Sequence, residues 1–192
     1  MPFACGFRRT AAGVGVALAL ALPAAADKAV FPEAVTAGGR GLLLRGPGPI
    51  RWKGLLRVCD VALYLPDGTT GSEALADVPR RLAFHYHVSI RAAELAEAAE
   101  HHLAENVPAA ELARLRPRVD ELHRLYRDVK KGDGYWLTYV PCRGTELALN
   151  GNPLGVVEGA DFAAAYFRIW LGERPVSESL RKSLLGPPGG QP

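Results

Sequence analysis

The chain is short of cysteine, of excess charge and of long apolar runs, and each shortage removes a class of reading. Three cysteines in 192 residues are too few for a disulfide-stapled scaffold or a thiolate metal cluster. Cys5 falls in an N-terminal leader, which leaves Cys59 and Cys142 either bridged or as two separate thiols. Lys and Arg number 23 against 20 acids, and the leader takes away Arg8 and Arg9 without an acid. No basic footprint is left, so nucleic acid is rejected as a partner. The apolar run from Ala11 to Leu22 is shorter than the ~20 residues a membrane span needs. Nucleophile elbow, phosphate loop, dinucleotide fingerprint, zinc motif and spaced carboxylate pair are all missing. Accordingly no cofactor is implied.

What is present begins with a secretory pattern. Arg8-Arg9, the apolar run and Ala24-Ala25-Ala26 have the form of a signal peptide cut after Ala26. The reading divides the chain into a signal peptide at 1–26, one domain at 27–186 and a disordered tail at 187–192. The expected location is periplasmic or secreted, with no stable membrane insertion once the signal is removed.

The domain is organised around RWKGLLRVCDVALYLP, Arg51 to Pro66, which reads as one long strand apolar on both faces from Cys59 onward. Leu42 to Leu44 predicts a short strand before it, with Gly46 to Pro49 as the connecting turn. Ser72 is expected to cap a short helix over Glu73 to Asp77. Arg80 to Ile90 alternates as a strand, Leu82, Phe84 and Tyr86 on one face and His85 and His87 on the other. His85-x-His87 is a metal-ligand spacing, but no third ligand lies nearby in sequence, and a solvated strand face is the favoured reading. No metal is expected. A helix follows from a Ser89 cap to about Asn106, then one opened by Pro108, which Pro117 should kink or split. Strands are predicted over Tyr135 to Val140, Thr145 to Leu149 and Leu154 to Val157, the last two joined at Asn150-Gly151. Helices close the domain from Asp161 to Gly172 and from a Ser177 cap to Leu185. Some six strands in hairpin-like order, with helices grouped rather than alternating, predict an α+β fold: an antiparallel sheet with helices on one face.

Arg51 stands at the head of the organising stretch as a permanent cation beside an apolar run, placed either to meet solvent or to hold an anion. A sheet–helix cleft with an arginine at its mouth suits a ligand with an apolar body and a carboxylate head. Straight strand would separate Arg51 from Cys59 by ~26 Å. The two can share a site only if the chain turns back between them, and Gly54 is the permissive residue. Tyr64, an odd number of positions from Cys59, should face the opposite side.

Four blocks, GPGPIRWKGLLRVCDVALYLP, VKKGDGYWLTYVP, LALNGNPLGVVEGADF and RIWLGERPVSESLRKSLLG, resemble the secreted bacterial branch of the chalcone isomerase-like proteins. The resemblance spans about Gly39 to Gly186. It implies an open-faced β-sandwich, a large antiparallel sheet with helices layered on one face. It also implies a ligand cleft holding Arg51, with Cys59, Val61 and Leu63 as lining. The plant isomerases pair their arginine with a strand threonine, a tyrosine in fatty-acid-binding members, and that position falls at Cys59. The tyrosine and asparagine of their following helix fall near Ala93 and Glu100, and their late Ser or Thr at Ile169. The resemblance therefore implies a non-catalytic binder of an amphipathic carboxylate such as a fatty acid. The alternatives are an intramolecular lyase acting on an enone or chalcone, and a cell-envelope interaction module without a small ligand.

Overall fold

The computed structural model describes residues 31–186; the expected signal peptide and tail lie outside them. Seven strands follow one another as an antiparallel meander: β1 (Ala34–Ala37), β2 (Arg40–Trp52), β3 (Leu56–Leu65), β4 (Arg80–Tyr86), β5 (Gly134–Val140), β6 (Gly144–Leu149) and β7 (Asn152–Val157). Four helices, α1 (Ala92–Asn106), α2 (Ala109–Leu125), α3 (Ala160–Leu171) and α4 (Glu178–Leu185), bury their apolar stripes against one face of that sheet. The main core joins Val61, Leu63 and Leu65 of β3 and Leu82 and Phe84 of β4 to Leu103, Val119, Phe162, Tyr166 and Leu184 of the helices. A smaller cluster on the opposite face contains Ala62, Tyr64 and Ala83. Tyr64 thus faces away from Cys59, as strand parity requires.

The organising stretch is two strands, not one. Lys53 and Gly54 adopt φ of 49° and 73° and fold the chain into a hairpin that pairs Arg51 with Arg57 and Ile50 with Cys59. Gly46 to Pro49 is not a turn but part of the 13-residue β2. β1 pairs with Arg40 to Leu43, and the Leu44 N–H donates to the Glu33 carbonyl at 2.9 Å. Beyond Leu44 no strand among the described residues pairs with that side of β2, and proline there costs no ladder bond. The glycines answer to α4. A Cβ on Gly46 would lie 2.1 Å from the Ser183 carbonyl oxygen, and one on Gly48 2.8 Å from Leu180 Cδ1.

Other boundaries also shift. The short helix is a 3-10 turn, Gly71–Glu73, whose Glu73 carboxylate accepts from the Thr70 N–H at 2.9 Å. α1 begins after Arg91, not Ser89, and the Ala92 N–H donates to Asp128 Oδ1 at 2.8 Å. α2 runs through Pro117 as one helix. At α4 the Ser177 hydroxyl accepts from the Leu180 N–H at 3.2 Å, the N-cap the sequence predicts. Cys59 and Cys142 are separate thiols, one buried and one exposed.

Candidate functional site

Sheet and helices do not close completely. A cavity of about 190 Å³ lies between β3–β6 and the helices α1 and α3. Phe84, Tyr86, Tyr135, Leu137 and Leu147 line it from the sheet, Ala99 and Leu95 from α1, and Ile169 and Trp170 from α3. Its exposed and half-buried lining, Glu94, Ala98 and His102 on α1 with Ile50 and Val58 on the hairpin, marks the mouth. An apolar cavity of ~150 Å³ holds benzene and stays dry without it, so this volume takes an apolar body of about that size or slightly larger.

The hairpin brings Cys59 into the lining. The register shift beside Ile50 leaves Val58 as the extra residue, and this bulge lets adjacent Val58 and Cys59 both reach the cavity. Burial, and then the nearby Asp60, push the Cys59 thiol up to about 12, so it is an apolar wall and not a thiolate nucleophile. Val61 and Leu63 lie further along β3, fully buried in the core, and do not line the cavity. Arg51 is exposed at the hairpin end, one residue beyond the lining residue Ile50, its Nη1 3.5 Å from the Leu55 carbonyl. The acid nearest in sequence is not its partner. Asp60 accepts from Arg57 Nε at 2.7 Å and lies 2.9 Å from His87 Nε2.

Besides Glu94 and His102 at the mouth, the polar groups of the lining are the tyrosines Tyr86, Tyr126 and Tyr135. Tyr86 is directly opposite Cys59 in the β3–β4 ladder. Burial holds its phenol neutral, far above the usual range, and no hydrogen bond to its hydroxyl is found among the described residues. Tyr126 meets the Tyr166 hydroxyl at 2.7 Å, and His123 Nε2 meets that same hydroxyl at 3.0 Å. Burial pushes the His123 pKa down, against the pull of Glu100, and Glu100 is itself held by Arg116 at 2.5 and 2.9 Å. Tyr135 donates to the Arg127 carbonyl at 2.9 Å. Sequence reasoning passed over Tyr86 because alternation marks it simply as core; its missing partner is visible only in three dimensions.

The positions matching the isomerase helix carry no donor toward the cavity. Ala93 does not line it, Glu100 is bound to Arg116, and Ile169 presents a hydrocarbon wall. His85 and His87 stand side by side, ring centroids 5.1 Å apart. The metal-capable trio among the described residues lies elsewhere: His101, His102 and Glu105, with ligand atoms within 4.8 Å of one another at the solvent-facing end of α1.

A family model described as chalcone isomerase-like matches residues 24–186. Among solved structures, a fatty-acid binding protein of Arabidopsis thaliana is similar with a TM-score of 0.62, over 81% of this chain and 90% of that one, at 16% identity. At that identity the likeness is one of fold. No curated protein matches the chain.

Proposed function

The chain belongs to the chalcone isomerase-like family, and from that premise we propose that it binds a small amphipathic carboxylate, of fatty-acid type, without turning it over. The observation that carries this reading is the apolar cavity, opening between α1 and the hairpin that bears Arg51. An apolar tail entering it is stabilised by about 0.8 kcal/mol per buried methylene, or roughly four-fold in affinity. The carboxylate belongs at the mouth. Deep in the cavity no cation would compensate its lost hydration, whereas Arg51 can swing to it as a bidentate donor. Ligand sites commonly begin near ~300 Å³, so 190 Å³ favours medium chains over long ones. A secreted or periplasmic location fits the leader at 1–26 and belongs to the same proposal.

Isothermal calorimetry with the saturated acids from hexanoate to myristate tests it. Affinity should climb with each methylene and level off once the cavity is full, and Arg51→Ala should weaken laurate binding about ten-fold or more. A chain-length series with no slope, or unchanged affinity in Arg51→Ala, would reject the anchor-and-tail arrangement.

One observation favours a second reading. The unpartnered neutral phenol of Tyr86 can donate to a ligand carbonyl inside the cavity, which is what an intramolecular lyase would ask of it on an enone. Incubation with a chalcone decides: cyclisation above the buffer rate, lost in Tyr86→Phe, would establish it, and a rate equal to buffer would dismiss it for that substrate.

A further inference from the structure

The β2–β3 hairpin runs past the cavity mouth and ends in seven consecutive exposed residues, Arg51 to Arg57. Three are large and apolar: Trp52, Leu55 and Leu56 are 59%, 86% and 50% exposed. Three are cations, Arg51, Lys53 and Arg57, with Gly54 at the bend. Scattered single apolar side chains on a surface are ordinary, but a tryptophan and two leucines within five positions form a patch. Nothing among the described residues covers them. The Lys53 ammonium lies 4.5 Å from the centroid of the Trp52 ring, so ring and cation present themselves together, as side chains at a bilayer interface do.

Charge selects the partner. No acid occurs from Arg51 to Cys59, and the next, Asp60, is 4% exposed and engaged by Arg57 and His87. Arg57 is matched by Asp60, so the charge the tip offers is that of Arg51 and Lys53, and the tip is a positively charged apolar wedge. A stable protein interface needs ~800 Å² and some 20–30 residues on each side, well beyond what seven hairpin residues offer. A bilayer demands no such matched surface: apolar side chains enter the headgroup layer and cations meet anionic lipids.

We propose that the β2–β3 tip docks on an anionic phospholipid surface and sets the cavity mouth against the bilayer. The docking is peripheral; no helix among the described residues is long and apolar enough to cross a membrane. It stands on the tip's own residues. Transfer of an apolar ligand between bilayer and cavity rests in addition on the ligand reading above.

Cosedimentation with vesicles of phosphatidylglycerol and phosphatidylcholine, against vesicles of phosphatidylcholine alone, tests it on the full mature chain. Binding should favour the anionic vesicles and weaken as salt is raised. It should fall about five-fold in Lys53→Gln and at least about ten-fold in the triple variant Trp52→Ser, Leu55→Ser, Leu56→Ser. Circular dichroism checks that the triple variant is folded, and its laurate affinity in vesicle-free buffer should equal that of the natural chain. Three results overturn the docking: no vesicle binding by the natural chain, equal binding to both vesicle types, or binding that survives the triple variant. Self-association that the triple variant abolishes, in the absence of vesicle binding, also overturns it. Vesicle binding without laurate binding upholds the docking and removes the ligand reading, so the two fail separately.

Discussion

Arg80 opens β4 with its side chain wholly buried, its guanidinium 4.7 Å from the Tyr139 ring centroid and 4.6 Å from that of Phe167. Nη1 donates to the Ala76 carbonyl at 2.6 Å, but Nε and Nη2 find no acceptor among the described residues. Burial pulls the guanidinium down to about 10, with Tyr139 and Asp77 pulling the other way. The side chain therefore holds its place by volume and ring contact more than by charge. Arg80→Ala should cost about 3–4 kcal/mol by leaving a void in the core. Arg80→Met, of similar length and free of unmet donors, should recover all but about 1 kcal/mol of that. Urea denaturation of the pair checks it; a methionine variant as unstable as the alanine one would mean the cation itself is needed. Alternation along β4 already puts Arg80 on the face of Leu82, Phe84 and Tyr86 and Arg81 on the other. Burial of one and not the other follows from which face of β4 the helices cover, a fact of tertiary packing.

Elements were more legible than single residues where local chemistry decides them and less so where a distant element does. The Ser177 cap, the Asn150-Gly151 turn and the alternation of β4 are local, and they stand where the pattern puts them. Gly46 to Pro49 read as a turn because glycine and proline usually break strands, whereas here proline answers a side of β2 that no strand among the described residues pairs, and glycine answers α4, 135 or so residues downstream. Two substitutions within β2 separate these causes. A methyl group on Gly41 meets nothing within 4 Å among the described residues, while one on Gly46 meets the Ser183 backbone oxygen. Gly41→Ala should stay within about 0.5 kcal/mol of the natural chain, and Gly46→Ala should cost about 2–3 kcal/mol by forcing α4 off the sheet. Equal melting temperatures for the two would show that α4 does not depend on this approach. Where α3 begins, the Arg118 guanidinium donates to both Asp161 carboxylate oxygens, at 2.6 and 2.7 Å, and lowers the Asp161 pKa from 3.8 to about 2. A carboxyl depressed on folding stabilises the fold above its unfolded pKa and loses that contribution as pH falls through the folded one. The α2–α3 tie should thus weaken between about pH 4 and pH 2. Because Asp161 is largely solvated, the effect is limited to about 0.2–1 kcal/mol. Acid titration of stability should be shallower in Asp161→Asn over that range; identical curves would assign the acid sensitivity elsewhere.

At the scale of the molecule, a meander with every strand paired to its chain neighbour is what hairpin order along a sequence specifies, and the one-sided helix layer follows from helices grouped between and after the strands. The void is another matter. A cavity is the space left when several elements fail to touch, so no residue's pattern encodes it, and Tyr86, Ala99 and Trp170 read in sequence as ordinary core. Its existence makes a distinctive prediction about stability. Ala99 lies on α1, 6% exposed, and faces this space, so a larger apolar side chain there has room that a close-packed core would deny it. Ala99→Leu should raise stability by about 0.5–2 kcal/mol through cavity filling, seen as a higher urea midpoint. The same substitution occupies the volume a ligand tail needs, so laurate affinity should fall at least about ten-fold. Laurate itself should raise the melting temperature of the natural chain, since a ligand bound only to the folded state stabilises it by mass action, and that rise should vanish in Ala99→Leu. The two effects have opposite sign for one mutation, a combination that general damage to the fold cannot produce. If Ala99→Leu instead destabilises the chain while laurate binds as before, the space between sheet and helices is not where the tail goes.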